Sequence, residues 1–361
     1  MKKLYYTPFL KLKQNEIMAL KELHPTIKEM VVPFFDFSPD KKEKNPKRFD
    51  ETADKSAKQL LTHFGPDKSI YIDTYDVQDQ IISGMHSYLY LLQSLNPIHL
   101  IPVTGVDRTQ EHQQAIIDYM VGKPKIDQVI AFRVVTEDFA SYSAIKDEIE
   151  DALYSLLNDL FTQIDLIIDC RIVHHLDQSG IDTAVQQITN FIALFTKDYP
   201  VRKVIVSGSS IPVTLGEICQ TKSYLMLERN EMLIHQAVAT SFEEVHPIEY
   251  GDYTTVSPEF MQPNLQATLN GASKFIYADG THQHIWRGEK LQGPPFKGHQ
   301  FNEHIRAMIN LTPTIYRGTA YSWADEKFYN TQHNTSGYTA STIIKPIINA
   351  HISYMSQIYS R

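Results

Sequence analysis

Apolar residues along this chain come in short bursts, each closing on a polar or charged residue and separated from the next by a helix-like stretch. In order they are VVPFFDF (31–37), IYIDTYD (70–76), HLIPVTG (99–105), VIAFRVV (129–135), DLIIDCR (165–171), KVIVSGSS (203–210), IEYGDY (248–253) and KFIYADG (274–280). A run this short and this rich in Val, Ile, Phe and Tyr reads as a strand buried on both faces. Strands alternating with helices read as βαβ units, and eight of them predict an α/β fold: a single (β/α)8, TIM-barrel-like domain.

The intervening helices are expected near 50–63, 77–95, 108–121, 143–162, 182–197 and 222–240. The clearest is 143–162, where Ile145, Ile149, Leu153, Leu156, Leu157 and Leu160 form one apolar stripe opposite a face of acids. Residues 14–24 carry helical spacing at Ile17, Leu20 and Leu23, stopped by Pro25, and are expected to plug the bottom of the barrel. The stretch 257–271 is a poor seventh helix, interrupted by Pro263. The rhythm changes after residue 281. A Gly/Pro-rich segment leads to a helix at 300–310, a strand at 314–323 and a final helix near 340–358. The expected organisation is therefore a barrel with its N-terminal helix over 1–284. A helical C-terminal extension over 285–361 packs on its side and supplies the eighth helix.

The chain is 361 residues long with 42% apolar residues, enough for such a barrel and its tail. A net charge of −8 argues against nucleic acid held through a broad basic face. No apolar stretch approaches the ~20 residues of a membrane span, so no membrane association is expected. The N-terminus has the lysines of a signal peptide without its uninterrupted apolar core. The two cysteines, Cys170 and Cys219, lie far apart, which fits a reducing compartment. The expected location is cytoplasmic.

Polar strand ends matter because barrel active sites gather where the strands end. Asp36, Asp73, Asp169, Asp252 and Asp279 close five different runs. Carboxylates converging on one mouth suit either a divalent cation such as Mg²⁺ or a general acid and base. Side chains alternate along a strand, so two or three of the five are expected to face the lumen. Arg133 sits inside an apolar run, where a charge needs a partner, and Asp169 and Arg171 share a strand face. Arginines among carboxylates fit bidentate recognition of phosphate or carboxylate, or an ion-pair network filling the barrel. Asp36, Asp73, Arg133, Asp169, Arg171 and Asp252 are thus the candidate catalytic residues.

The Gly/Pro segment carries Lys297, Gly298 and His299 just before a predicted helix, with Arg287 upstream. Barrels often hold phosphate after their last strands at a helix N-terminus, so these four residues are candidate phosphate ligands. His282 and His284 have a spacing compatible with zinc if His299 or His304 supplies a third ligand. Ser207, Ser209 and Ser210 lack the surroundings of a nucleophile elbow.

Several local patterns together resemble the phage-type beta protein family of phages and bacterial mobile elements. They are Tyr6-Thr7-Pro8-Phe9-Leu10-Lys11 with Glu16 and Ala19-Leu20, Pro33, Pro102-Val103, Tyr250-Gly251-Asp252-Tyr253, Arg287-Gly288, Ser322-Trp323-Ala324-Asp325 and the helix around His351. Ala324 stands where the family would read Gly. The resemblance implies a barrel-like fold and a setting in phage biology or anti-phage defence, and no particular reaction.

Two readings follow. In one, the protein is a metal-assisted phosphoester hydrolase acting on a phosphorylated small molecule, nucleotide or nucleic-acid end. In the other it is a non-catalytic sensor that recognises a phage component or ligand at the barrel mouth and engages a protein partner. Open carboxylates at the mouth favour the first reading, and carboxylates each paired with an arginine favour the second.

Overall fold

Eight parallel strands close on themselves. The computed structural model describes residues 4–37, 47–123, 128–242, 247–259, 271–291, 299–332 and 337–359. In chain order the strands are β1 Tyr6–Lys11, β2 Phe34–Asp36, β3 Ser69–Asp73, β4 Ile81–Ile82, β5 Met85–His86, β6 His99–Thr104, β7 Val129–Val134, β8 Gln163–Ile172, β9 Val201–Ser209, β10 Ser223–Glu228, β11 Ile248–Asp252, β12 Ala272–Ala278 and β13 His282–Lys290. The barrel runs β1-β2-β3-β6-β7-β8-β9-β11 and back to β1, so this is a (β/α)8 TIM-barrel-like fold.

The strand that closes the ring is not the expected one. The run at 274–280 lies in a separate antiparallel sheet, ordered β10-β13-β12, outside the barrel. Its Asp279-Gly280 pair, followed by more alternating residues, is a hairpin signal that outweighs its apolar content. The eighth barrel strand is instead the N-terminal β1, which pairs with β2 on one side and β11 on the other. Pro8, which lacks a ladder N–H, and the terminal Lys11 disguise it in the sequence. The helix Gln14–Lys21 consequently does not plug the bottom. It is the crossover from β1 to β2, packed outside the barrel against the helices Lys47–His63 and Ile344–Tyr359.

Other differences follow from local chemistry. Residues 222–240 split into the alternating strand β10 and the helix Asn230–Phe242, with buried Arg229 at the break. No strand forms at 314–323. That stretch leads irregularly into the helix Trp323–Thr331, whose N-cap Ser322 accepts the Asp325 N–H at 3.0 Å. Most of 257–271 lies outside the described residues. The C-terminal helix Ile344–Tyr359 packs on β1, as an eighth outer helix should.

The lumen is layered, as alternation along parallel strands requires. Its waist is apolar, built from Phe9, Phe34, Ile101, Val103, Ala131, Ile167 and Ile205. Gly251 makes this possible. A Cβ there would stand 2.9 Å from both the Phe9 ring and the Thr7 carbonyl oxygen. At the amino-terminal end Tyr71 donates to Asp165 at 2.6 Å, Arg202 binds the same carboxylate, and Lys203 pairs with Glu249 at 2.9 Å. Polar residues fill the layer at the carboxyl end. Among the described residues, no helix is long and apolar enough to cross a membrane.

Candidate functional site at the barrel mouth

Arg133 is the hub of the carboxyl-end layer. Two positions beyond Ala131 of the waist, it faces the lumen and is 2% exposed. Its Nη1 donates to Asp73 at 2.7 Å and Asp36 at 3.1 Å, while Nη2 donates to Asp169 at 2.6 Å and the Tyr253 hydroxyl at 2.8 Å. Nε also reaches Asp169 at 3.1 Å. Three of the five strand-end acids therefore converge on one guanidinium, from β2, β3 and β8.

Each acid also has a further donor. Lys11 binds Asp36 at 3.1 Å, and Arg108 grips both oxygens of Asp73 at 2.9 Å. Asp169 accepts the Tyr253 hydroxyl at 2.6 Å and the Arg171 backbone N–H at 2.9 Å. Burial alone would raise the Asp36 carboxyl, but Lys11 and Arg133 outweigh it and hold it at about 2. For Arg133, burial favours the neutral form, yet Tyr253 and the three aspartates push its pKa well above the ordinary value.

The rim is built differently. The strand ladder becomes irregular between Asp169 and Ile172, and Arg171 adopts a left-handed backbone with φ of 53°. Its guanidinium turns back over the mouth and, among the described residues, makes long polar contacts: 3.4 Å to the Tyr253 hydroxyl, 3.8 Å to Asp76 and 4.0 Å to Asp169. Tyr75, half-buried in the loop after β3, has three guanidinium carbons around its ring, Arg133 at 4.5 Å, Arg171 at 4.8 Å and Arg108 at 5.0 Å. Asp76 beside it is shifted upward, first by burial and then by Asp36. Ser207, level with Asp169 in the β8–β9 register, has a buried hydroxyl with no hydrogen-bond partner among the described residues.

Asp252 does not join this cluster. It faces away from the lumen, where Arg229 donates to it at 2.7 Å, Tyr6 at 2.6 Å and Tyr250 at 3.0 Å, with His351 at 2.8 Å. Burial raises its pKa and His351 and Arg229 lower it, to about 2. The neighbouring Tyr253 crosses to the lumen, so a single peptide separates two ion networks. Arg229 also contacts Glu231, the Asp279 carbonyl and the Met355 sulfur, which fastens the C-terminal helix to β11.

Asp279, and of the expected phosphate ligands Arg287 and His299, also lie away from the mouth, because β12 and β13 belong to the outer sheet. Arg287 donates to the Cys219 carbonyl, and His299 sits 3.5 Å from Glu303. Lys297 and Gly298 lie outside the described residues. Arg287 and His299 line an open cleft of about 760 Å³ between the outer sheet and the helix Gln300–Ile309. The zinc expectation does not fit, since both nitrogens of His284 are engaged, with Tyr224 and Asp279, and His304 bonds Ser273. Among the described residues, no group of three His, Cys, Asp or Glu side chains is arranged to hold a metal ion. For a Mg²⁺-type cation at the mouth the donor set is also wrong, because side-chain cations and a backbone N–H already occupy the oxygens of Asp36, Asp73 and Asp169.

Sequence reasoning missed Lys11, Tyr75, Arg108 and Tyr253 at the mouth, and Arg229 and His351 behind it. Parity along β1 would have found Lys11 two positions from Phe9, had the strand been recognised. Tyr75 and Arg108 lie on loops, where no periodicity announces them.

The family model described as Beta protein matches residues 6–357, nearly the whole chain, and the chain therefore belongs to that family. No curated protein matches the chain.

Proposed function

We propose that this member of the Beta protein family is a recognition protein that takes an anionic, phosphoryl-bearing ligand at the barrel mouth, without turning it over. One observation carries the reading. Among the described residues, Asp36, Asp73 and Asp169 are each bonded to lysine or arginine, while Arg171, held at the rim by an unusual backbone, has ion contacts no shorter than 3.8 Å. Neutralised carboxylates are poor metal ligands and poor proton carriers. A loosely held guanidinium is a ready donor to a phosphate. Three guanidinium groups around the Tyr75 ring repel one another, and an anion placed among them relieves that repulsion. Within the phage or anti-phage setting that the family resemblance implies, such a mouth suits sensing a phosphorylated phage or nucleotide component and passing the signal to a protein partner.

Titration calorimetry against inorganic phosphate, nucleotides and 5′-phosphorylated oligonucleotides tests this, with and without Mg²⁺. Binding should be independent of Mg²⁺, and Arg171→Ala should weaken it by roughly tenfold or more, the worth of one charge-assisted hydrogen bond. Mg²⁺-dependent release of phosphate that Asp169→Asn abolishes would instead establish the metal-assisted hydrolase.

A further inference from the structure

The outer sheet carries a second constellation that takes no part in the mouth. In β13, His284 is 3% exposed and uses both ring nitrogens, Nε2 to Asp279 Oδ2 at 2.7 Å and Nδ1 to the Tyr224 hydroxyl at 2.6 Å. Asp279 Oδ1 is fixed in turn by the backbone N–H groups of Thr281 at 2.7 Å and His282 at 2.6 Å. Tyr224 belongs to the edge strand β10 and is 39% exposed, with its ring 4.9 Å from Trp286. We propose that Tyr224, His284 and Asp279 form a proton relay that makes the Tyr224 hydroxyl a nucleophile toward activated carboxylic esters.

The tautomer follows from elementary chemistry. Partial burial would raise the Asp279 carboxyl, but the His284 bond and the two backbone donors hold it well below its usual range, so it is an ionised acceptor. His284 Nε2 therefore carries the hydrogen, and neutral Nδ1 offers its lone pair to the tyrosine O–H. This is the acid–histidine–hydroxyl order of nucleophilic triads, recognised by geometry and role rather than by fold. Burial, and then Asp279, raise the Tyr224 pKa, so the phenol keeps its proton at rest and needs a base during attack.

The surroundings select the electrophile. Met226, 50% exposed, lies opposite His284, and Trp286 and Tyr224 form part of the wall of the 760 Å³ cleft. Asp279 lies within the relay and Glu228 opposite His282, while the cleft's Lys222 pairs with Glu289 and its Arg287 with the Cys219 carbonyl. A phosphoryl donor therefore meets carboxylates and engaged cations, whereas a neutral acyl group meets apolar surface. In the step, the Tyr224 Oη–carbonyl carbon bond forms and the phenolic proton passes to His284 Nδ1. The carbonyl–oxygen bond to the leaving group then breaks, giving an O-acyl tyrosine and the released alkoxide or phenolate.

A pulse of p-nitrophenyl acetate on the full chain, followed by peptide mapping, tests the proposal. Tyr154 and Tyr329, 69% and 50% exposed, are internal standards that are more accessible than Tyr224. Tyr224 should be acetylated faster than both, by about 10²-fold for an effective general base. His284→Gln should bring it down to their level, and Asp279→Asn should lower it while leaving Tyr154 and Tyr329 unchanged, which also verifies folding. Labelling of Tyr224 no faster than Tyr154, or undiminished in both variants, overturns the proposal.

Discussion

Replacing Arg133 by Met removes the hub and keeps most of its volume. Five donor contacts to three carboxylates and one phenol disappear at a site 2% exposed. Each aspartate keeps one cationic or hydroxyl partner, in Lys11, Arg108 or Tyr253, so the loss is that of breaking a buried pair, about 3–5 kcal/mol. Over 361 residues, at an unfolding entropy of roughly 2.1 cal/mol/K per residue, that lowers the melting temperature by about 4–7 °C. The sign with pH is fixed as well. Asp36 folds with a pKa near 2, below its unfolded value, so it contributes stability above pH 4 that fades as the pH falls toward 2. Without Arg133 the Asp36 carboxyl loses one of the charges that offset its burial and titrates higher in the folded variant, so acid costs the variant less. Scanning calorimetry of both proteins from pH 7 to pH 4 should show the gap narrowing. A gap under about 1 kcal/mol at pH 7, or one that does not change with pH, refutes the hub.

Two further outcomes are expected. Burial pushes His112 and His235 down to about 4, so unfolded chains take up those protons first. Stability should be full above pH 6.5 and fall as the pH drops toward 4, by up to roughly 3 kcal/mol per histidine, and His112→Gln should flatten part of that profile in urea melts. Gly251→Ala places a methyl 2.9 Å from Phe9 and the Thr7 carbonyl, and should lower stability by about 1–3 kcal/mol of overpacking in the same assay. An unchanged unfolding midpoint would show that the waist yields.

The legible parts of the fold were those where one-dimensional pattern and three-dimensional demand coincide. Strands β2, β3, β6, β7, β8, β9 and β11 lie between two covered faces, so apolar residues dominate them and the runs stand out. Arg133 and Asp169 were conspicuous because a charge within such a run needs a partner. The failures have equally local causes. β1 carries Pro8 and Lys11 and so lacks an apolar signature, although its lumen face is ordinary. β12 has the apolar signature for another reason, because Phe275 and Tyr277 are covered by Phe328 of the helix Trp323–Thr331 rather than by a barrel. Asp252 was misassigned because a strand end does not declare its parity, and which face it shows depends on the bulges and turns around it.

That parity matters most in the segment Tyr250-Gly251-Asp252-Tyr253. Tyr250 and Asp252 turn outward to Arg229 and, through Asp252, to His351 of the C-terminal helix. Gly251 turns inward and leaves the space that Phe9 fills. Tyr253 then crosses into the lumen and donates to Asp169 while accepting from Arg133. Four consecutive residues thus serve the outer helix, the apolar waist and the polar mouth, with almost no freedom to change one contact alone. A side chain that moved at Tyr253 would pull on the same peptide that orients Asp252, and the Asp252 carboxylate holds His351 of helix Ile344–Tyr359 at 2.8 Å. The mouth and the C-terminal helix are therefore joined through consecutive residues at the end of β11.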